Sequence, residues 1–303
     1  MLTTNNELLT ELQQIKDLQV EIDHDLTLMT SIRLKATGDL LIVRSLEALC
    51  QTVKTLTKYS ISYRPLGLGA NTIIPELAKI PYLKLDLFFD PQYLTELRGE
   101  YTLPASITLN NLTNCASRLG LKGWEIFTGI PATLGGALCM NAGTNLGEIG
   151  SLAKNFRLVT KEGEIKTIIP NEKTFKYRHN NILNAGDIIF EVTLLHHGHD
   201  PKVTEIIRAY LKKRSLSQPL TKHTCGCVFK NRKTSPACLA GQSLDIIGFK
   251  GFTYKNIRVS PIHGNFFEHG GGATKTDFIN MTEIINDELN LQLGIRLEFE
   301  VRD

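Results

Sequence analysis

The sequence predicts an α+β protein with a larger N-terminal unit and a C-terminal lobe of about 100 residues, a typical domain size. Two observations predict this class. Helical periodicities and short alternating strand patterns are interspersed along the 303 residues. The composition then changes at GHDPKVTEIIRAYLKKR (198–214), which we interpret as a helix at a domain boundary.

Helices and short strands alternate through the N-terminal unit. Apolar residues recur at helical spacing from Leu8 to Leu18, which predicts an amphipathic helix over residues 5–19. NLTNCASRLGL (111–121) is a second such pattern, and Gly120 ends it. The other predicted elements are strands at 40–44, 155–160, 165–169 and 188–195, a helix at 46–59, a strand within 61–76 that enters a glycine loop, and short strands within 79–113.

The boundary helix begins with Asp200 as its N-cap and Pro201 at the first helical position. Its apolar residues predict one buried stripe. The members of that stripe are Val203, Ile206, Ile207, Tyr210 and Leu211. After this helix we expect strands near 226–230, 257–260 and 296–301 and a helix at 276–289.

Composition and charge exclude several classes of function. A net charge of +3 is small for this length, so we expect no nucleic-acid partner. The N-terminus lacks the cationic start and apolar run of a secretory signal, and no stretch approaches the roughly 18 apolar residues of a membrane span. The six cysteines are sparse and irregularly spaced, which indicates reduced thiols in a cytoplasmic protein.

Two glycine loops stand out. GLGANTI (67–73) follows a strand, but Thr72 replaces the third glycine of a dinucleotide fingerprint, and Ile73, Ile74 and Pro75 oppose a helix there. A Rossmann domain is therefore disfavoured, and a turn without a ligand is the simpler interpretation of this loop alone.

The second loop, GIPATLGGALCMNAG (129–143), is more specific. Its glycines allow close approach of the backbone to a ligand, and successive N–H groups before a helix can form a nest for an anion such as pyrophosphate. A buried helix rich in glycine and alanine, packed against a sheet, is the alternative.

Together the motifs resemble the UDP-N-acetylenolpyruvoylglucosamine reductase (UDP-N-acetylmuramate dehydrogenase) family. The resemblance continues, in order, through FKYRHN, KKRSLSQP, CGCVFKN, LAGQSLD, HGNFF, GGATKTD and GIRLEFEV, and it covers nearly the whole chain from about residue 28. The short separation of Arg178 from Cys227 resembles the short form of the family, which lacks an extra loop.

The resemblance implies a fold and its domains. We expect a two-lobed FAD-binding domain of the vanillyl-alcohol-oxidase/PCMH type and a C-terminal α+β substrate-binding domain. The implied bounds are an N-terminal helix at 1–20, the FAD-binding domain at 21–199 with lobes at about 21–80 and 81–199, and the substrate-binding domain at 200–303.

The resemblance also implies an activity. Noncovalently bound FAD would be reduced by NADPH and would pass hydride to the enolpyruvyl group of the UDP-sugar, giving UDP-N-acetylmuramate for peptidoglycan synthesis. We expect a cytoplasmic monomer with no membrane partner. Two rivals stay open: a flavin oxidase of the same superfamily acting on another alcohol or sugar, and a non-enzymatic flavoprotein paralogue.

The family match assigns the cofactor to the two glycine loops. The implied cofactor-binding residues are Gly67, Gly69, Ala70, Asn71, Thr72, Gly129, Ile130, Pro131, Gly135, Gly136, Asn141, Ala142 and Gly143. Some positions depart from the family pattern: Ala70 replaces a usual serine, Ala132 a usual glycine, and TNLGE follows MNAG in place of an alanine-tyrosine pair.

The Cys225-Gly226-Cys227 stretch allows several interpretations. A metal site would need another soft ligand, and Cys238 is the only near candidate, so we expect no metal. A disulfide would close a short, strained ring. If the segment is extended, both cysteines share one face. Two interpretations remain: the cysteines are a buried structural pair, or one of them is a catalytic thiol. We expect Cys225 to be structural.

Reduction of an enolpyruvyl group needs a hydride source, a clamp for the negative charge and a proton donor. The resemblance implies that Cys227, where the family usually has serine, donates the proton. It implies that Glu300 helps to hold or protonate the enolate's carboxylate. It implies that Arg178 supplies a fixed positive charge, because arginine forks onto carboxylates and stays charged. Tyr177, Arg214 and Arg302 resemble substrate-binding residues. In isolation, the simpler interpretation is that Glu300 lies on a solvated strand face opposite the apolar Leu297, Phe299 and Val301.

Overall fold

The first unit combines two four-stranded sheets, two short two-stranded sheets and helices. A computed structural model describes residues 2, 5–232 and 238–302. Grouping by contacts divides the chain into unit 1 (1–24, 39–68 and 79–211) and unit 2 (25–38, 69–78 and 212–303). The domain bounds implied by the family stay a prediction; two short N-terminal segments group with the C-terminal part.

One sheet of unit 1 has the strand order β1-β2-β4-β3, with β4 parallel to both β2 and β3. Two helices, α1 and α2, contribute apolar residues to the core beside it. The elements are α1 (Asn6–Gln13), β1 (Leu18–Asp25), β2 (Thr37–Val43), α2 (Leu46–Lys58), β3 (Arg64–Leu66) and β4 (Tyr82–Leu85).

The second sheet of unit 1 is antiparallel, in the order β5-β12-β8-β9. Its core includes the fully buried Trp124 and Phe156. The elements of this part are β5 (Glu100–Pro104), α3 (Leu109–Leu119), α4 (Leu134–Cys139), β6 (Gly143–Thr144), β7 (Gly147–Glu148), β8 (Ala153–Val159), β9 (Ile165–Ile168), β10 (Phe175–Lys176), β11 (His179–Asn180), β12 (Ile188–Leu195) and α5 (Val203–Ser217).

Unit 2 has a three-stranded antiparallel sheet in the order β13-β14-β15 and a long helix that begins with a capping box at Thr274. Phe229, Phe267 and Phe278 fill its core. The elements are α6 (Ala240–Ile246), β13 (Thr253–Tyr254), β14 (Ile257–Val259), β15 (Phe267–His269) and α7 (Lys275–Leu293). Among the residues described, no helix is long and apolar enough to cross a bilayer.

Several predicted elements differ from the structure. The first helix ends at Gln13, not near residue 19, because Asp17 adopts a φ of +64° and the chain turns into β1. The predicted strands at 226–230 and 296–301 form only isolated bridges, including Phe229 with Phe299. In α5 only Val203 and Ile207 of the predicted stripe are buried.

Candidate active site

Two backbone N–H groups of the first glycine loop have no acceptor among the described residues. Gly69 is buried with a φ of +61°, and a Cβ there would collide with the carbonyl oxygen of Met29. Its own carbonyl accepts a hydrogen bond from Ser31 N–H at 3.1 Å. Among the hydrogen bonds of the described residues, none has Gly69 N–H or Ala70 N–H as donor. A buried donor without a protein acceptor is matched to an anionic ligand.

The second glycine loop uses its donors internally. At the start of α4, Gly135 N–H donates to Ala105 O at 2.9 Å, and Gly136 N–H donates to the N-cap hydroxyl of Thr133 at 3.2 Å. A Cβ on Gly135 would stand 2.7 Å from Ala105 Cβ. Gly135 and Gly136 could therefore contribute to a cofactor site only by letting a ligand come close to the backbone, and not by donating these N–H groups to it.

The two loops meet within unit 1. A Cβ on Gly67 would stand 2.6 Å from Thr133 Oγ1, so only glycine allows this contact. Gly129 adopts a φ of +71° just before Ile130 and Pro131, where the second loop turns toward Thr133. The structure thus places the start of one predicted cofactor loop against the helix cap of the other.

Asn141 organises the end of the second loop. It is 2% exposed with a φ of +46°, and its Nδ2 donates to Glu148 Oε2 at 2.7 Å and to Lys176 O at 3.1 Å. Its Oδ1 accepts from Gly150 N–H at 3.0 Å. The Asn141 side chain therefore joins β7 to β10, while the adjoining Ala142 is buried.

Arg178 occupies the two-residue turn between β10 and β11. Its φ of +57° is uncommon for a residue with a side chain and is typical of functional positions. Nη2 donates to Gly143 O at 3.2 Å, and the guanidinium lies 4.9 Å from the ring centroid of Tyr177. The predicted arginine clamp is thus hydrogen-bonded to the predicted cofactor loop.

In unit 2 the two cysteines of the CGC stretch differ. Cys225 is fully buried, and this burial raises the pKa of its thiol. Cys227 is half-buried. The condition under which both cysteines would share one face is not met, because Gly226 has a φ of +74° and the segment is not extended there. The described residues contain no group of three or more potential metal-ligating side chains.

Backbone hydrogen bonds hold the Cys227 segment beside Glu300. Val228 N–H donates to Asn265 O at 2.9 Å, and Val228 O accepts from Glu300 N–H at 2.8 Å. Cys227 itself pairs with Phe266 in an antiparallel bridge. The predicted proton donor therefore directly precedes the residue whose carbonyl is hydrogen-bonded to the backbone of Glu300.

Asn71 joins the first glycine loop to this group. Its Nδ2 donates to Glu300 O at 2.9 Å, and its carbonyl accepts from Arg302 N–H at 3.0 Å. Thr72 forms a parallel bridge with Arg302. Near the same loop, Ala70 O lies 3.8 Å from the position of a Cβ on Gly226. Within unit 2, Asn71 and Thr72 of the predicted cofactor loop thus lie against Glu300 and Arg302.

Two further predictions concern Arg214 and the residues next to Glu300. The Arg214 guanidinium forks onto Gln218 Oε1 at 3.0 and 2.8 Å. Around Glu300, Leu297 and Val301 are buried as expected, but Phe299 is 38% exposed and stacks on Phe229.

Sequence reasoning missed the role of Ser31, and it identified Asn265 only as a structural or site-shaping residue. Ser31 Oγ donates to Thr224 O at 2.6 Å, which ties the first glycine loop to the segment before Cys225. No pattern around Ser31 indicates this, whereas Asn265 lies in the conspicuous motif HGNFF.

Comparison with known proteins identifies the family. Residues 40–168 match an FAD binding domain, and residues 218–302 match the C-terminal domain of UDP-N-acetylenolpyruvoylglucosamine reductase. A UDP-N-acetylenolpyruvoylglucosamine reductase of Moorella thermoacetica is 32% identical over 292 residues, 96% of this chain and 95% of the relative. The chain belongs to the UDP-N-acetylenolpyruvoylglucosamine reductase family.

Two further reductases agree. That of Nostoc punctiforme is 31% identical over 287 residues, covering 91% of this chain and 83% of the relative. The crystal structure of the Thermus caldophilus reductase superposes with a TM-score of 0.76 at 26% identity, covering 94% of this chain and 97% of that one. The predicted family, the fold class and the expectation of an oxidoreductase with an FAD-binding domain are confirmed.

Proposed function

We propose that this chain reduces UDP-N-acetylenolpyruvoylglucosamine to UDP-N-acetylmuramate, with noncovalent FAD as cofactor and NADPH as co-substrate. The observation that carries the proposal is the 32% identity to a reductase of this name across 96% of the chain. In this role the protein acts as a cytoplasmic monomer in peptidoglycan precursor synthesis, and so in cell-wall formation, cell shape and division.

The glycine loops fit a flavin pyrophosphate. Gly69 and Ala70 offer N–H groups that have no acceptor among the described residues, and the glycine at position 69 leaves no side chain in the way. Gly67, Asn71 and Thr72 complete this loop. In this proposal, the same cofactor is also bound by residues of the second loop, namely Gly129, Ile130, Pro131, Gly135, Gly136, Asn141, Ala142 and Gly143.

The chemistry divides between the cofactor and this chain's residues. Bound FAD, once reduced by NADPH, supplies a hydride to one carbon of the enolpyruvyl double bond. Negative charge then develops on the other carbon and its carboxylate. Arg178 offsets that charge with a guanidinium that stays protonated. Glu300 acts in its neutral form, whose acidic proton hydrogen-bonds to the carboxylate end of the enolate. Cys227 gives its thiol proton to the carbanionic carbon, which completes the reduction.

The thiol of Cys227 makes the reaction sensitive to alkaline pH. An unperturbed thiol has a pKa near ~8.5, and only the protonated form can donate. Turnover should therefore fall as the thiolate forms at high pH. Alkylating reagents should inactivate the enzyme, and bound UDP-sugar should protect it. Tyr177, Arg214 and Arg302 bind the UDP-sugar in this proposal.

The test follows the visible spectrum of the purified protein under anaerobic conditions. We expect a yellow protein that NADPH bleaches and that UDP-N-acetylenolpyruvoylglucosamine restores to the oxidised spectrum. Recovery with oxygen but not with the UDP-sugar would assign the chain to the oxidase rival. A colourless protein, or a yellow one that NADPH leaves unchanged, would favour the paralogue without this activity.

A further inference from the structure

We propose that Asn265 is a positioning residue for Cys227, an inference that rests on the donor role proposed above. Asn265 is 2% exposed and lies just before β15. All four of its polar atoms are hydrogen-bonded inside unit 2. Its N–H donates to His263 Nδ1 at 3.2 Å, and its carbonyl accepts from Val228 N–H at 2.9 Å.

The Asn265 side chain clamps one residue of the Cys227 segment from both sides. Oδ1 accepts from Phe229 N–H at 2.9 Å, and Nδ2 donates to Phe229 O at 2.8 Å. This side chain replaces the pair of hydrogen bonds that a neighbouring strand would give. A planar amide with one acceptor and one donor suits both groups at once.

The clamp matters because the Cys227 segment has no continuous strand ladder. Its backbone is held by isolated bridges from Cys227 to Phe266 and from Phe229 to Phe299, and by the bonds of Val228. Gly226 adds backbone freedom on the other side of Cys227. Asn265 therefore helps to set the position of the thiol from the Phe229 side, beside the bridge from Cys227 to Phe266.

Asn265 acts through Cys227 and not on the substrate. Its amide is buried and both polar atoms are already bonded to Phe229, so it has no exposed group to offer a sugar. Loss of the clamp should slow proton delivery while leaving NADPH reduction and UDP-sugar affinity close to wild type. Displacing a reacting group by about 1 Å can cost on the order of a hundredfold in rate.

The variants are Asn265→Asp and Asn265→Ala. Asp keeps an acceptor for Phe229 N–H but sets a carboxylate oxygen against Phe229 O; Ala removes both bonds without adding charge. Asn286→Ala is the matched control, because Asn286 makes the same two bonds to the backbone of Leu297, at 2.9 and 3.2 Å. Melting temperature and flavin content, measured on each holoprotein, identify variants that fail to fold.

The deciding experiment is a double-mutant cycle on reoxidation of NADPH-reduced flavin by the UDP-sugar. We expect Asn265→Ala to slow reoxidation about ten- to a hundredfold, with the KM for the UDP-sugar and the rate of bleaching by NADPH little changed. In a Cys227→Ala background, Asn265→Ala should have no further effect. It should also change the alkylation rate of Cys227, which Asn286→Ala should leave unchanged.

Two outcomes overturn different claims. If Asn265→Ala slows reoxidation by the same factor with and without Cys227, or leaves it at the wild-type rate, Asn265 does not act through the thiol. If Cys227→Ala alone reoxidises as fast as wild type, the donor role itself is wrong, and with it the proposed step.

Discussion

The two glycine loops look alike in sequence and differ in what they offer a ligand. In the first, Gly69 and Ala70 have N–H groups that donate to no acceptor in the part of the chain that the structure describes. In the second, Gly135 and Gly136 give theirs to Ala105 and to the cap hydroxyl of Thr133. A glycine-rich motif can thus serve binding in one place and close packing in another, and only the hydrogen-bond partners separate the two.

The largest expected effect is at Gly69. Gly69→Ala should yield protein without stoichiometric flavin, because the Cβ collides with Met29 O and a residue with a side chain at positive φ is strained by about 1–2 kcal/mol. Gly248→Ala is the control, since Gly248 has a φ of +78° and no neighbour within 4 Å. Absorbance near the flavin band reports cofactor content. A yellow, fully loaded Gly69→Ala protein would contradict the assignment of this loop.

Gly135→Ala should act through packing instead. The new Cβ would stand 2.7 Å from Ala105 Cβ. This overpacking should lower the free energy of unfolding by about 1–3 kcal/mol. Ala105→Gly should recover most of that loss, which denaturant unfolding of the single and double variants measures. Gly136→Ala is the matched control and should lie within about 1 kcal/mol of wild type. Failure of Ala105→Gly to rescue, with flavin lost from a folded protein, would make Gly135 a ligand-contacting residue like Gly69.

A smaller effect is expected for the helix cap of the second loop. Thr133→Ala leaves Gly136 N–H without its acceptor and should cost about 1 kcal/mol of stability. Thr133→Ser keeps the acceptor and should be close to wild type. Thermal melts compare the two; equal stability of the Ala and Ser variants would show that the cap contributes nothing measurable.

Sequence reasoning reached the family, the fold class and most of the helices and strands. It reached them because glycine spacing, apolar periodicity and helix-ending glycines such as Gly120 are local properties of the chain. Which N–H groups stay open could not be predicted, because Ala105 and Met29 become neighbours of these loops only through tertiary packing. The same holds for Asn265, whose partners lie 36 residues away.

The mildest prediction concerns pH and the segment under the first loop. His269 Nε2 accepts from Ala273 N–H, so its Nδ1 is the protonated nitrogen and donates to Ile32 O at 2.9 Å. Burial lowers the pKa of His269. The unfolded chain therefore binds this proton first as pH falls below ~6.5, so stability is full above that pH and declines below it until the folded pKa is reached.

Unfolding free energy measured between pH 7.5 and the acid range should show this decline, and His269→Asn should flatten it. The loss should be comparable to one hydrogen bond, about 1 kcal/mol. His263, whose pKa burial also lowers, contributes with the same sign, so His263→Asn is needed beside it. If the unfolding free energy of the His269→Asn protein declined with falling pH as steeply as in wild type, the hydrogen bonds of His269 would not account for the decline.

The central claim is that Cys227, and not its buried neighbour Cys225, completes the reduction. Its most direct test is rapid mixing of NADPH-reduced enzyme with the UDP-sugar, following flavin reoxidation. We predict that Cys227→Ala still bleaches with NADPH but reoxidises about a hundredfold or more slowly, that Cys227→Ser keeps substantial activity without the thiol-dependent alkaline decline, and that Cys225→Ala is far milder. Reoxidation of Cys227→Ala at the wild-type rate, or equal loss of folding and flavin in both alanine variants, would contradict the claim.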